Sequence, residues 1–281
     1  SCRSESSIIR EAELLASLPD FKGRIHDVGG PTANMYGFEC RKKISRGACP
    51  DRGCLFPDVC EHLRPDHGRQ IGLLRKLRAI PGVKQATVAS GIRYDLILAD
   101  RKHGIPYLRE VVRSHVSGQM KVAPEHSEEK VLRCMGKPGT APLLAFRDLF
   151  FRFTREAGKE QFLTCYLVAA HPGCTQADME ALRRFLLKEL ALHPEQVQIF
   201  TPSPATISTL MYHTGRDPWS GKRLFVEKTA AGRETQKKIL IAETGRFGYE
   251  NAENQLIKRR GMSWAKTRTL KKTRRKNLPR R

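Results

Sequence analysis

Short apolar runs that alternate with amphipathic stretches are the feature that most constrains the fold of this chain. The runs are nearly continuous rather than alternating, which is typical of parallel strands buried on both faces. Strands are predicted at 24–28, 83–89, 119–123, 162–168 and 197–200. Helices are predicted at 71–79, 106–114, 127–135, 141–157 and 176–190. Repeated βα units of this length predict an α/β fold, either an open or closed barrel or a doubly wound sheet.

The length and composition fit one large core with an appendage. The chain has 281 residues, of which 40% are hydrophobic, so it is too apolar to be disordered throughout. Its longest apolar runs fall far short of the roughly 20 residues that span a bilayer, and no membrane partner is expected. No charged-then-apolar leader opens the chain, and eight cysteines without a signal peptide favour a reducing compartment. We therefore expect a cytoplasmic protein.

Polar and small residues follow each predicted strand. In chain order the loops read DVGGPT, SGIRYD, PEHS, AHPGCT and TPSP. In a parallel sheet such loops gather at the carboxyl edge, where ligands bind. Glycines let a ligand approach the backbone, and Ser127 and Thr175 are candidate N-caps of helices that would present free N–H groups to an anion. The sequence therefore predicts a ligand site at this edge, and Ser4 is a further candidate N-cap near the start of the chain.

Four of the eight cysteines, Cys40, Cys49, Cys54 and Cys60, lie in one loop rich in Gly, Pro, Asp and Arg. Such thiols bind a soft metal, either Zn²⁺ or an iron–sulfur cluster, or they stay reduced, or they form disulfides. A reducing compartment disfavours disulfides. The spacing C-x8-C-x4-C-x5-C matches no standard zinc-finger or ferredoxin pattern. We expect a metal or cluster site, with the neighbouring His62 as either a ligand or a solvated side chain.

Three other cysteines lie in the predicted elements. Cys134, in an amphipathic helix, and Cys165, in an apolar strand, are expected to be buried hydrophobic residues. Cys174 lies at a predicted helix N-terminus on the ligand edge, where an exposed thiol would have a lowered pKa. It is therefore a candidate functional thiol.

Segments along most of the chain resemble one protein family. They are GGPTANMYG, the four-cysteine loop, SGIRYD, KVAPEHSEEKVLRCMGKPG, AGKEQFLTCYLVAAHPGCTQADM and VQIFTPSPATISTLMYHTG. Together and in this order they resemble the YgiQ-type branch of the radical SAM superfamily, over residues 1–228. The resemblance implies a partial radical SAM-type (β/α) barrel with parallel strands and a Cys-rich insertion at 38–64. It also implies an enzyme of unknown substrate that uses S-adenosyl-L-methionine (SAM) and a [4Fe–4S] cluster.

The resemblance also implies which residues meet the cofactor. Gly29, Gly30 and Pro31 match the glycine-containing segment whose backbone meets the amino group of SAM. His171 and Gly173 match the loop near the adenine.

Lys121, Glu125 and His126 match strand-end positions that face the ribose and carboxylate of SAM. The residues themselves leave alternatives open. Glu125 and His126 would equally cap the helix that begins near Ser127 or pair with each other. Lys121 would equally be a lysine that reaches solvent along a buried stem.

One motif of the superfamily is absent from the chain. Radical SAM enzymes hold the catalytic cluster with a C-x3-C-x2-C loop after the first strand, and no trio of the eight cysteines has this spacing. In the family this loop lies upstream of the helix that opens the present sequence, so we expect a fragment that lacks it. We therefore predict that the chain alone is inactive in radical chemistry. The four clustered cysteines are not ligands of that cluster, which leaves an auxiliary cluster or zinc for them.

The C-terminal end is strongly basic. Residues 229–257 predict a short extension with a helix at 234–242, and residues 258–281 carry twelve Lys and Arg and no acid. Since 51 Lys and Arg against 29 Asp and Glu give +22, this tail supplies about twelve of the charges. Such a block is either solvated and disordered or in contact with RNA or DNA phosphates. The alternative function is therefore a non-enzymatic nucleic-acid-binding protein with a zinc-stabilised loop.

Overall fold

A computed structural model describes residues 2–30, 32–50, 53–194 and 196–241 of the chain. These residues form an α/β fold with parallel strands, as predicted. The strands are β1 (Arg24–Ile25), β2 (Gln85–Ala86), β3 (Gln119–Glu125), β4 (Phe162–Ala169) and β5 (Gln198–Ile199). Each strand overlaps a predicted run, although β1, β2 and β5 are shorter. Beyond β1 the contact with the neighbouring segment continues, because Val28 N donates to Thr87 O at 2.7 Å.

The strands follow one another across the sheet in chain order. β1 pairs with β2, and β4 pairs with both β3 and β5, all in parallel. A parallel bridge between Ile92 and Val122 joins the two groups just after β2, where Ile92 N donates to Lys121 O at 2.9 Å. The order 1-2-3-4-5 has no reversal, so it is that of consecutive βα units and lacks the switch point of a doubly wound sheet. Within the described residues the sheet does not close into a barrel.

The helices of the described part are α1 (Glu5–Ser17), α2 (Arg41–Arg46), α3 (Gly68–Ala79), α4 (Tyr94–Ala99), α5 (Gly104–Ser114), α6 (Glu129–Met135), α7 (Ala141–Glu156), α8 (Gln176–Phe185), α9 (Ile207–Thr214) and α10 (Ala230–Ile241). A π-helical turn, Leu186–Leu190, continues α8. The predicted helices are present, whereas α2, α4 and α9 were not predicted because six or eight residues give too short a pattern. None of these helices is both long and apolar enough to cross a membrane.

Two of the three predicted N-caps are confirmed. The Ser4 hydroxyl accepts a hydrogen bond from Ser7 N at the start of α1. Thr175 forms a reciprocal capping box with Asp178, since Thr175 N donates to Asp178 Oδ2 at 2.8 Å and Asp178 N donates to Thr175 Oγ1. Both caps satisfy helical N–H groups that would otherwise lack a partner.

The prediction that Ser127 caps α6 is wrong. The residue before α6 is Glu128, and its side chain makes no capping bond. The Glu128 N–H instead donates to Nδ1 of the buried His126 ring at 3.0 Å. Glu128 therefore occupies the N-cap position in place of Ser127.

Two apolar clusters lie against the central strands. The larger packs α5 and α7 on β3, and its innermost side chains are fully enclosed: Tyr107, Met120, Phe146 and Phe150. The second lies beside β4 and combines α8 and α10 through Leu167, Met179, Leu182 and Leu240. Because Leu240 is buried there, α10 is part of the body that carries β4. The second cluster consequently fixes α10 next to the loop that follows β4.

Candidate functional site

The carboxyl edge of the sheet, called the rim below, consists of the strand ends and loops at 26–34, 87–95, 123–128, 170–175 and 200–208. It carries three non-glycine residues in left-handed backbone, one at or after the end of each of β3, β4 and β5: Glu125 (φ 65°), Ala170 (φ 59°) and Ala205 (φ 58°). Such strained conformations persist only where the surroundings hold them, and they concentrate at ligand sites. The rim is therefore the candidate site of the molecule.

The loops after β1 and β2 are fastened to each other. Asp27 Oδ1 accepts hydrogen bonds from Ala89 N at 2.9 Å and Ser90 N at 3.1 Å, and the Ser90 hydroxyl bonds to the other oxygen. A Cβ at Gly29 would lie 2.7 Å from Asp27 Oδ1, so only glycine fits there. Gly30 faces open space, where a ligand can meet the backbone. Pro31 lies outside the described residues.

A buried asparagine continues this link. Asn34 Oδ1 accepts a hydrogen bond from Arg93 N at 2.8 Å, and its amide donates to Arg93 O at 2.9 Å. The Arg93 side chain forms a two-pronged pair with Asp95, with Nε donating to Oδ1 at 2.9 Å. The pair is largely buried. The loops after β1 and β2 are thus joined both through Asp27 and through Asn34.

The end of β3 adds a second ion pair to the rim. Lys137 Nζ lies 2.6 Å from Glu125 Oε1 and also donates to Ala123 O at 3.2 Å. Together with the Arg93–Asp95 pair, Lys137 lines a shallow depression whose other walls are Tyr94, Ala123 and Pro138. Lys121 is exposed, and its ammonium lies 5.6 Å from the centre of the Tyr166 ring. The depression presents both signs of charge.

His126 and Cys174 form a buried pair between the ends of β3 and β4. Since His126 Nδ1 accepts from Glu128 N, a neutral ring carries its proton on Nε2, which is 3.5 Å from Cys174 Sγ. Burial lowers the pKa of His126 to about 4 and raises the pKa of Cys174 to about 12. The expected lowering of the Cys174 pKa required exposure, and the thiol is fully buried. Both groups are neutral near pH 7.

His171 is likewise held inside the loop after β4. Its Nδ1 donates to Pro172 O at 2.9 Å, its Nε2 accepts from the Ser208 hydroxyl at 2.8 Å, and the ring packs on Phe200. Burial lowers its pKa. Gly173 has φ 88°, a conformation that favours glycine. His126 and His171 therefore shape the rim, while Lys121 and Glu125 are the more accessible of the predicted polar contacts.

A glutamine from α10 closes this loop. The Gln236 side chain is fully buried, accepts from Ala170 N at 2.9 Å and donates to Cys174 O at 3.0 Å. Gln236 thus satisfies the Ala170 N–H and the Cys174 carbonyl. Ala170, the strained first residue of the loop, could not join a regular β-ladder. Gly173 N also donates to Phe225 O at 2.7 Å. The segment that follows β5 thus supports the loop from two sides.

The cysteine segment, residues 38–64, lies against α4. Cys40 and Cys60 are buried in a small apolar cluster with Leu63 and Leu96, and Cys49 and Cys54 are partly exposed. All eight cysteines of the chain are described, and all are free thiols. Cys60 N donates to Cys54 O at 2.9 Å. The segment holds α2 and otherwise irregular chain, apart from residues 51–52, which are not described.

The thiols of this segment influence one another. Burial raises the pKa of Cys54, and repulsion from the neighbouring Cys40, Cys60 and Cys49 raises it further. Thiolates that destabilise each other in this way are a donor set that a soft cation would neutralise. Among the described residues, no three of these sulfurs lie within 4.8 Å of one another, so a metal would have to draw them closer. His62 is half exposed, with Nε2 3.9 Å from Glu61 Oε1.

A carboxylate and histidine cluster was not predicted. Asp66, Asp100 and His103 each place a ligand-type atom within 4.8 Å of the others. The buried Asp100 carboxylate accepts from the backbone N–H groups of His67 and His103 at 2.8 Å and lies 2.8 Å from His67 Nδ1. These hydrogen bonds already occupy the Asp100 carboxylate. The cluster fastens the start of α3 to the start of α5.

The rim residues that sequence analysis missed are Asn34, Arg93, Asp95, Lys137, Ser208 and Gln236. Five of them lie inside segments that carry the family resemblance, and only Gln236 lies outside these segments. Gln236 lies in a helix with an unremarkable polar pattern and contacts a loop more than 60 residues away. Only the fold brings it to the rim.

Comparisons with known proteins find relatives for most of the chain. Residues 195–264 match a domain of unknown function, DUF3362. UPF0313 proteins of Fusobacterium nucleatum and Methanosarcina acetivorans are 55% and 44% identical over 238 residues, or 85% of this chain. One from Thermotoga neapolitana is 42% identical over 247 residues, or 88% of the chain.

The chain spans less than half the length of these relatives. The aligned region covers 42% of the Fusobacterium protein, 31% of the Methanosarcina protein and 43% of the Thermotoga protein. The similarity extends over 85% or more of this chain. The matched part of this chain therefore corresponds to a portion of a UPF0313 protein.

Proposed function

We propose that the chain is part of a YgiQ-type radical SAM enzyme of unknown substrate, which binds SAM on the rim when a longer protein carries the [4Fe–4S] cluster. The observation that supports this best is the unreversed order of five parallel strands, whose carboxyl ends are joined by polar contacts into one rim. A partial barrel of this kind presents its ligand at that edge. The shorter length of the chain relative to UPF0313 proteins agrees with a cluster loop supplied from outside it.

The groups on the rim fit a zwitterionic cofactor. SAM carries a carboxylate and an ammonium group on its methionyl part. The Arg93–Asp95 pair lines the depression and the Lys137–Glu125 pair lies at its edge, so cations and carboxylates are both at hand. Gly30 leaves its backbone accessible, next to the position at which Gly29 allows close packing. With a reduced cluster beside it, SAM supplies one-electron chemistry. The residues of this chain bind and orient it, with Lys121 and Glu125 on the ribose and carboxylate side.

The two buried histidines have a different role in this proposal. His126 and His171 each use both ring nitrogens within the protein, so they hold the loops after β3 and β4 in position. Gly173 and its neighbours present backbone near the adenine. Because the histidines and Cys174 are neutral, the polar contacts to the cofactor come from the ion pairs at the opening of the depression.

The cysteine segment is proposed to hold a separate metal. Cys40, Cys49, Cys54 and Cys60 would bind an auxiliary iron–sulfur cluster or Zn²⁺, both of which four thiolates can accommodate. The influence of all three other thiols on Cys54 supports this. We further propose a reducing cytoplasm as the compartment of the protein, where such thiols stay available to a metal.

The test compares the 281-residue chain with the longer Fusobacterium relative. Both are prepared anaerobically with iron and sulfide and are incubated with SAM and dithionite. We expect the relative to form methionine and 5′-deoxyadenosine and the chain alone to leave SAM intact. Intact SAM in the reaction of a relative that has taken up iron and sulfide would refute the radical SAM assignment.

The alternative is a non-enzymatic, zinc-stabilised nucleic-acid-binding protein. It is favoured by the charge of +22, about half of which comes from residues 258–281, which lie outside the described part. Zinc without iron or sulfide, together with RNA or DNA binding that weakens steeply with salt, would support it. Iron and sulfide would favour the enzyme.

A further inference from the structure

A hairpin after α9 holds a tryptophan in solvent. Arg216 and Arg223 form an antiparallel bridge, and the turn between them carries Trp219 at its tip. The Trp219 side chain is 69% exposed, a large fraction for an aromatic residue of this size. Residues 215–225 are called the basic hairpin below.

The turn is rigid, so the exposure of Trp219 does not come from a loose loop. The carboxylate of Asp217 accepts from Trp219 N at 3.0 Å and from the Ser220 hydroxyl at 2.9 Å. Asp217 N donates to Lys222 O at 2.9 Å, and Gly221 N donates to Asp217 O at 2.8 Å. Because these bonds hold the backbone of the turn in place, binding at Trp219 would lose little backbone conformational entropy.

The surface around Trp219 is positively charged. Arg216, Lys222 and Arg223 are all exposed on the arms of the hairpin. The one acid in the turn, Asp217, is buried, and Arg133 lies 3.3 Å from it. An aromatic anchor of a protein interface is usually surrounded by apolar contacts, whereas the side chains around Trp219 are cationic. Cations beside a free aromatic face match a phosphate backbone with unstacked bases.

The hairpin also adjoins the rim. Phe225 on its return arm is 47% exposed, and its carbonyl accepts the hydrogen bond from Gly173 N in the loop after β4. A polymer on the hairpin would therefore lie next to the rim.

We propose that the basic hairpin binds single-stranded nucleic acid, with a base stacked on Trp219 and phosphates at Arg216, Lys222 and Arg223. This goes beyond the proposed function and does not depend on it. Base stacking on one aromatic residue and contacts to three phosphates would add to any binding by residues 258–281. A duplex, whose bases are already stacked, lacks the free base face that Trp219 needs.

The experiment uses the fact that the chain has two tryptophans. In a Trp264→Phe variant of the full chain, Trp219 is the only one, and its fluorescence reports stacking directly. Titration with a single-stranded RNA of about 20 nucleotides is expected to quench this emission, as is single-stranded DNA. Heparin, which has charge but no bases, is expected to bind without quenching.

Substitutions then separate stacking from charge. Trp219→Ala is expected to weaken RNA binding by about 5- to 150-fold, whereas Trp219→Phe keeps most of the affinity. Leu14→Ala, at an apolar residue of α1 that is 66% exposed, serves as the matched control and leaves the RNA affinity unchanged. Replacing Arg216, Lys222 and Arg223 together by Gln is expected to reduce the slope of log affinity against log salt by about two.

Three outcomes would overturn the proposal. They are unchanged Trp219 emission at saturating RNA, equal affinity of the Trp219→Ala and Leu14→Ala variants, and equal quenching by duplex RNA. The first two would assign nucleic-acid binding to residues 258–281 alone. If Trp219→Ala fails to fold by circular dichroism, the emission test in the Trp264→Phe chain decides the question.

Discussion

The rim and the cysteine segment are built in opposite ways. On the rim, side chains such as Asp27, Asn34 and Gln236 satisfy the backbone groups of neighbouring loops and hold them from several sides. The cysteine segment has one six-residue helix, and two of its thiols lie in a small apolar cluster. The rim is therefore preorganised by the protein itself, whereas the cysteine segment has a donor set that a bound metal would complete.

The two regions also differ in charge. The centre of the rim is neutral, because burial keeps His126 unprotonated and Cys174 protonated near pH 7. The cysteine segment must lose protons to bind metal, and its neighbouring thiols make that loss harder for Cys54. A metal would have to supply the missing positive charge. The rim should thus keep its structure without metal, and the cysteine segment should not.

The largest effect on the rim is expected from Gln236→Ala. It leaves Ala170 N and Cys174 O buried without their partner, which should cost about 2–5 kcal/mol in the free energy of unfolding. Urea unfolding measures the loss, and hydrogen exchange of residues 170–175 shows where it falls. Lys238→Ala, on an exposed position of the same helix, is the control and should change little. Equal stability of the two variants would show that the loop does not need this support.

The second prediction concerns pH. Because the pKa of His126 is about 4 in the folded chain and is ordinarily 6.5, the unfolded chain binds this proton more readily. This contribution to the free energy of unfolding is fully present above about pH 6.5 and is lost as the pH falls through 4. The loss amounts to about 3 kcal/mol at pH 4. His126→Gln should flatten that part of the pH profile of the urea midpoint, leaving the slope from other buried histidines such as His171. A profile identical to that of the unaltered chain would mean that His126 is not held neutral.

The smallest effect tests backbone strain on the rim. Ala205 is exposed and has φ 58°, so Ala205→Gly should stabilise the chain by about 0.5–1 kcal/mol. Ala145→Gly, at an exposed position inside α7, should destabilise it by about 1 kcal/mol. Thermal unfolding of the two variants distinguishes the signs. Destabilisation by both would argue against strain at Ala205.

The sequence predicted the elements of the rim better than its contacts. Continuous apolar runs located all five strands, because strands buried on both faces need such runs whatever surrounds them. Thr175 was predicted correctly as a cap, and its partner Asp178 lies only three residues later in the chain. Ser127 was wrong because Glu128 takes the N-cap position, where its N–H donates to the ring of His126, which tertiary packing buries.

The unpredicted contacts of the rim join residues far apart in the chain. Asn34 and Arg93 are 59 positions apart, and Gln236 is 66 positions from Ala170. No local pattern distinguishes a buried glutamine from an exposed one in a polar helix. In the cysteine segment the candidate ligands were predicted but the secondary structure was not. The four thiols are plain in the sequence, whereas the short helix α2 has no buried residue and so no apolar pattern.

The most direct measurement is the metal and acid-labile sulfide content of the anaerobically prepared chain, compared with a Cys49→Ser/Cys54→Ser variant and a Cys2→Ser control. We expect iron with sulfide, or zinc, in the unaltered chain and in the control. The double variant should lose the metal while hydrogen exchange at the rim residues 170–175 stays unchanged. Iron and sulfide would identify an auxiliary cluster, and zinc a structural site. No metal in any of the three proteins, or a collapse of the rim when the metal is lost, would contradict the division of the molecule into a self-supporting rim and a metal-dependent cysteine segment.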